Sequence, residues 1–298
     1  MITLDWLGCA TFRLTIDDLV VFLDAYMDRA AGAPAVGITA GEVERADYIL
    51  VGHSHFDHIA GAEVIARNTG ARIIGSNESC RVMRACGIAD AQLLPSQGGE
   101  RHRLASGVTV RVFPSLHGVL WTGLTGIGEE RAGDTGLCED EKATMMQRHG
   151  LAAIMGEAPE ESRAAAFLAH ARGATGSARD GGALIYLIET GRGTILFQDT
   201  SGCWSAIMRG IHADVAILAI AARPNVDGEP YQGSMASFIA QEAAWVGART
   251  VIPAHHDNWT GLMDVDAPDL SRVREALAPA TRGASLVEMG YLGGVAVL

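Results

Sequence analysis

Apolar and polar positions alternate with period two through Thr11-Phe12-Arg13-Leu14-Thr15-Ile16, and a continuous apolar run follows over residues 19–23. Residues 2–24 therefore read as strands, the last of them buried on both faces. The same two patterns predict strands at 48–51, 71–74, 92–94, 108–114, 183–189, 193–197, 215–220 and 250–252, with closing strands at 286–289 and 295–298. Helical periodicity falls between them at 59–67, 78–85, 204–209, 234–246 and 269–277.

The pattern changes between residues 118 and 180. This stretch is rich in Ala, Glu, Arg and Gly, carries Trp121, Leu124 and several Met, and has two helical segments, at 139–150 and 159–172. A long excursion between sheet segments reads as a lid or a dimerisation element, and the sequence leaves both open. The chain is expected to form one domain over 1–298 with this excursion as an insertion.

Polar residues collect where strands end. The run Asp47 to Gly61 reads D-Y-I-L-V-G-H-S-H-F-D-H-I-A-G and places His53, His55, Asp57 and His58 directly after a buried strand and before a helix. In an extended backbone residues two apart point to one side, so His53 and His55 can share an ion. Asp57 and His58 sit where the chain turns and can face a second ion. Further along, His117, Asp199 and the pair His255-His256 also follow strands, as does Asp24, which either supports the site or caps a turn. Imidazole and carboxylate donors suit zinc, and also manganese or iron. Tyr231 is read as a loop residue that either donates to substrate or packs. Asp257 either orients a ligand or caps the next turn. His102, His149, His170 and His212 are read as ordinary surface or helical histidines.

Composition narrows the class. The 298 residues are 48% hydrophobic and 19% charged, enough for a sizeable core and unlike a disordered chain. A formal net charge of −12, with basic residues that are nearly all Arg, argues against gripping a phosphate backbone, so no nucleic-acid partner is expected. Cys9, Cys80, Cys86, Cys138 and Cys203 are odd in number and scattered, which favours reduced thiols and a cytoplasmic location. Neither a secretory leader nor a membrane span is read from the sequence.

The set His53, His55, Asp57, His58, His117, Asp199 and His255, in this order, resembles the metallo-β-lactamase fold superfamily of metal-dependent hydrolases. That resemblance implies an α+β fold, a four-layer αβ/βα sandwich, with a helical insertion between its halves. It implies His53, His55 and His117 as ligands of one ion, Asp57, His58 and His255 as ligands of a second, and Asp199 as the bridging carboxylate. Asp24 matches the family's supporting aspartate. The family's strand-Pro-x-His pattern favours His255 over His256, leaving His256 on the substrate side or in a structural role. The opening W-L-G-C-A-T-F-R-L is similar to the W-L-G-H-A-T start of the branch containing ascorbate-phosphate lactonase and N-acyl-phosphatidylethanolamine phospholipase D. Cys9 stands where that branch has His, either removing a supporting role or serving as a small buried residue.

The expected activity is hydrolysis of an ester, lactone or phosphoester bond in a small molecule by a hydroxide shared between two divalent ions roughly 3.5–4 Å apart, with Asp57 and Asp199 as the catalytic carboxylates. A homo-oligomer is compatible with the insertion. The rival class is a non-hydrolytic iron oxidoreductase on the same fold. Its flavodiiron form prefers Glu where His55 stands.

Overall fold

The computed structural model describes residues 1–123, 126–149, 159 and 161–298. Leu124, Gly150 and the expected helical position 160 lie outside the described residues. Strands β1 (Ile2–Trp6), β2 (Phe12–Ile16), β3 (Leu19–Leu23), β4 (Tyr48–Leu50), β5 (Arg72–Gly75) and β6 (Leu93–Pro95) form one sheet in that order, and Val295–Ala296 is added antiparallel outside β1. The first three strands are antiparallel hairpin neighbours, while β3 to β6 run parallel. The second sheet is β7 (Arg101–Ala105), β8 (Val108–Pro114), β9 (Leu184–Thr190) and β10 (Gly193–Gln198), followed by parallel strands Val215–Ala219, Thr250–Ala254 and Ser285–Leu286.

Alternation decides which face goes inside. Ile2, Leu4, Phe12 and Leu14 point from the first sheet into a cluster shared with Val110, Tyr186, Phe197 and Ile217 of the second. On the outer face of the first sheet, Phe22, Ile49 and Ile73 pack under helices Ala62–Thr69 and Asn77–Ala85 through Ile65 and Met83. Leu187, Leu196 and Leu218 do the same under Met235–Val246 and Ser271–Ala280 through Phe238, Ile239 and Leu277. The result is the expected four-layer sandwich, with the helices outside and the two sheets face to face.

Three local departures from the sequence reading have physical causes. The helix expected at 59–67 is instead two, Phe56–Ile59 and Ala62–Thr69, broken at Gly61. Gly61 has φ +98°, and a β-carbon there would lie 2.5 Å from the Ala25 carbonyl oxygen, so the chain turns where only glycine fits. Strand β7 escaped the pattern because it is an edge strand with exposed Arg101 and Arg103. The helix expected at 159–172 starts at Arg163, where the Ser162 hydroxyl accepts the Ala165 N–H. No described helix is long and apolar enough to cross a membrane.

The 118–180 excursion carries helices Glu139–His149 and Arg163–Gly173. Its return leg is fastened to the histidine loop: Ser54 N–H donates to the Asp180 carbonyl at 2.8 Å, and Ser177 N–H to the Ser54 carbonyl at 2.8 Å.

Candidate metal centre

The site forms where β3, β4, β8, β10 and Thr250–Ala254 all end. Leu50 and Val51 carry the chain out of β4, Gly52 N–H donates to Asp24 Oδ1 at 2.8 Å, and the one-turn helix Phe56–Ile59 then presents Asp57 and His58. The Ala25 N–H, donating to the His58 carbonyl at 2.8 Å, pins that turn to the end of β3.

Two groups of donors result. His53, His55 and His117 offer atoms within 4.8 Å of one another, with His53 Nε2 and His55 Nδ1 facing at 3.1 Å. His117 Nδ1 donates to the Gly118 carbonyl at 2.8 Å, which leaves Nε2 with its lone pair for the site. In the second group His255 Nε2 lies 3.1 Å from His58 Nε2 and 3.2 Å from Asp57 Oδ2. His58 Nδ1, on the far side of its ring, donates to Asp24 Oδ2 at 2.7 Å. Carboxylates behind an imidazole fix both its tautomer and its aim.

Asp199 connects the groups. Its Oδ2 accepts from His53 Nδ1 at 2.6 Å and lies 3.2 Å from His58 Nδ1, while its Oδ1 is buried without a hydrogen-bond partner. Room for this carboxylate comes from Gly52: a β-carbon there would sit 2.1 Å from Asp199 Cγ.

The electrostatics match a cation-binding donor set. Burial and the neighbouring His53 and His117 push His55 down to about 2, and burial with His53 lowers His117 to about 4. Burial and His58 likewise lower His53. These rings are neutral and present lone pairs. Burial opposes ionisation of Asp57 and Asp199, but the adjacent imidazoles outweigh it and hold both carboxyls well below the usual range. For His58, burial favours the neutral ring, yet Asp57 and Asp24 raise it strongly. Asp24 itself is raised to about 7 by burial and by Asp199. Crowded neutral nitrogens, ionised carboxylates and an orphaned carboxylate oxygen fit a divalent metal.

The other singled-out residues separate clearly. His256 turns away from the donors and stacks on Trp6, with ring centroids 4.7 Å apart and planes 6° from parallel. Asp257 accepts the Cys9 N–H at 3.0 Å and the Tyr291 hydroxyl at 2.6 Å and forms an ion pair with Arg29 Nη2 at 2.7 Å, so it holds neighbouring backbone in place. Tyr231 packs on Phe238, with ring centroids 5.5 Å apart, and its carbonyl accepts from Arg223. His170, read as an ordinary helical histidine, brings Nε2 to 3.0 Å from the Tyr26 hydroxyl and packs its ring on Phe56. Sequence reasoning also passed over Trp259, whose ring stands edge-on to His255 at 5.1 Å, and Gly52. A glycine immediately before the histidine motif was the available signal for the latter.

Comparisons with known proteins place this geometry. Residues 20–156 match the model of a beta-lactamase superfamily domain. A UPF0173 metal-dependent hydrolase of Pyrobaculum islandicum is 31% identical over 144 residues, covering 45% of this chain and 62% of that protein. One from Symbiobacterium thermophilum is 35% identical over 146 residues, covering 46% and 62%. The chain thus spans less than two thirds of the length of these curated relatives. Among solved structures, a metallo hydrolase of Ignicoccus hospitalis aligns over 99% of this chain and 97% of its own at TM-score 0.61 and 14% identity. A diiron β-hydroxylase of Streptomyces venezuelae aligns over 99% of this chain and 53% of its own at TM-score 0.55 and 14% identity. The matched segment, just under half of the chain, and the shared four-layer architecture show that the chain has the metallo-β-lactamase fold.

Proposed function

We propose that this protein is a dinuclear metal-dependent hydrolase that cleaves an ester, lactone or phosphoester bond of a small molecule. The observation that carries the reading is the convergence of two donor groups, His53–His55–His117 and Asp57–His58–His255, which meet at the His53 and His58 rings, one from each group, with centroids 3.9 Å apart. Zinc fits this nitrogen and oxygen set, and manganese or iron are the other ions it accepts.

Two divalent ions, when bound, supply a water activated near neutral pH and polarise the oxygen under attack. The chain's own residues prepare the site for that chemistry. Asp24 and the Gly118 carbonyl fix the tautomers of His58 and His117. Asp199 holds His53, and its ionised carboxylate, whose Oδ1 is unpartnered, would serve as a further anionic donor to the metals. Asp57, ionised and beside His255 Nε2, would serve as an anionic ligand of the second ion.

Helix Arg163–Gly173 of the 118–180 excursion lies against the site. Phe167 on helix Arg163–Gly173 packs with Phe56 and Trp259, beside His255, so we read this element as a fixed cover of the site rather than a remote appendage.

The test is turnover of generic ester, lactone and phosphodiester substrates by zinc- and manganese-loaded protein, with Asp57→Ala alongside. Hydrolysis that Asp57→Ala abolishes supports the reading. No hydrolysis by either protein, or metal-dependent oxygen uptake in its place, removes it in favour of an oxidoreductase.

A further inference from the structure

Cys9 lies in the turn between β1 and β2, fully buried. Its Sγ joins a carboxylate oxygen of Asp57 and a ring nitrogen of His255 in a set whose atoms lie within 4.8 Å of one another. We propose that the Cys9 thiolate is a ligand of the ion held by Asp57, His58 and His255. This deepens the dinuclear reading above and rests on it.

A buried cysteine is ordinarily a small apolar residue, and the other two buried cysteines lie inside apolar clusters. Cys80 belongs to the one with Ile65, Val82 and Met83, and Cys203, which also meets the buried Glu242 carboxyl, to the one with Met208 and Phe238. Cys9 is equally buried but belongs to none of the apolar clusters among the described residues. Its sulfur faces polar groups: the S–H donates to the Asp57 carbonyl at 3.4 Å, a bond that ligation would give up, and the Asp57 carboxylate and the His255 ring complete the set. A sulfur placed against a carboxylate and an imidazole that both face a metal has the chemistry of a third donor, and thiolate suits a borderline-soft ion such as zinc.

The backbone delivers it there. Cys9 N–H donates to Asp257 Oδ1 at 3.0 Å, and His255 N–H donates to the Cys9 carbonyl at 2.8 Å, so the two residues are locked together across 246 positions of sequence. Asp257 is in turn held by Arg29, which passes where Gly8 has no side chain: a β-carbon there would lie 1.5 Å from Arg29 Nη2. Ligation breaks the S–H bond and forms a sulfur–metal bond. The proton leaves to solvent, and no oxidation state changes.

X-ray absorption of the zinc-loaded protein tests this without reference to activity. The expected spectrum has a sulfur shell at about 2.3 Å beside the nitrogen and oxygen shell at about 2.0 Å. That shell disappears in both Cys9→Ser and Cys9→His, while zinc at the histidine triad is retained; two substitutions of different size guard against one failing to fold. A wild-type protein holding two zinc ions with only nitrogen and oxygen neighbours overturns the thiolate and leaves the dinuclear reading intact, as does a sulfur shell that survives in Cys9→Ser. Protein that binds no zinc at all overturns both.

Discussion

The Tyr186 hydroxyl, on the inner face of the second sheet, donates across the sandwich to the carbonyl of Val51, the residue that ends the approach to the histidine motif, at 2.7 Å. It ties the sheets together directly behind the site. The candidate ligands of the proposed metal centre repeat the arrangement. His53, His55, Asp57 and His58 follow the first sheet, while His117, Asp199 and His255 follow strands of the second.

Metal should therefore act as a second tie between the sheets, and its removal should destabilise the whole fold. Chelation is expected to lower the melting temperature measured by calorimetry. Re-addition of zinc at a thousandfold excess over its dissociation constant should restore about 4 kcal/mol per site. An unchanged melting temperature after complete metal removal, verified by elemental analysis, would contradict the shared ligation.

Asp24→Asn tests the support behind His58. The amide keeps the size of the side chain but offers His58 Nδ1 no anionic acceptor, so the imidazole loses its fixed tautomer. Affinity at the Asp57–His58–His255 ion should fall by about 10–100-fold in a competition titration, with the other ion little changed. Equal weakening of both ions would point to general loss of structure instead.

Gly52→Ala asks whether the notch beside Asp199 is needed. The added methyl would meet the carboxylate at 2.1 Å, far inside contact distance, so Asp199 must move. The expected result is reduced metal stoichiometry and a stability loss of about 1–3 kcal/mol. Wild-type metal content and melting temperature in this variant would show that Asp199 can serve from elsewhere.

Glu242 predicts a pH dependence remote from the metals. It is buried under the second sheet, where Gln198 Nε2 donates to its Oε1 at 2.9 Å, and burial raises its carboxyl to about 8. A folded-state value above the unfolded one means that folding takes up a proton. The stability from this group is then fully present below the ordinary carboxyl range, near 4.5, and is lost progressively as pH rises toward 8. Urea unfolding across that window should show a decline of a few kcal/mol attributable to this group. In Glu242→Gln that component should be absent, and an identical pH profile in both proteins would refute the assignment.

What could be read from the chain followed the reach of local patterning. Period-two alternation gave β1, β2 and β8, and the H-x-H-x-D-H spacing marked half of the site because those donors are neighbours in sequence. His117, Asp199 and His255 were legible as polar residues after apolar runs. Cys9 was legible only as a departure from the W-L-G-H-A-T pattern, because its contact with His255 spans most of the chain. The stack of Trp6 on His256 is equally invisible locally, as His255 and His256 both look like candidates for the site until the fold seats His256 on Trp6. Strand β7 and the break at Gly61 escaped for a different reason: an edge strand has little apolar signal, and a glycine inside a helical pattern does not reveal which carbonyl lies against it.

Asp24, Cys9 and His255 share one further property: each adopts a left-handed backbone, with φ of +52°, +47° and +57°. For residues with a β-carbon that conformation costs about 1 kcal/mol or more apiece, and glycine at any of the three would relieve it. Directed evolution toward thermal tolerance alone should therefore accept glycine at these positions, and the heat-resistant descendants would be those that had surrendered their chemistry.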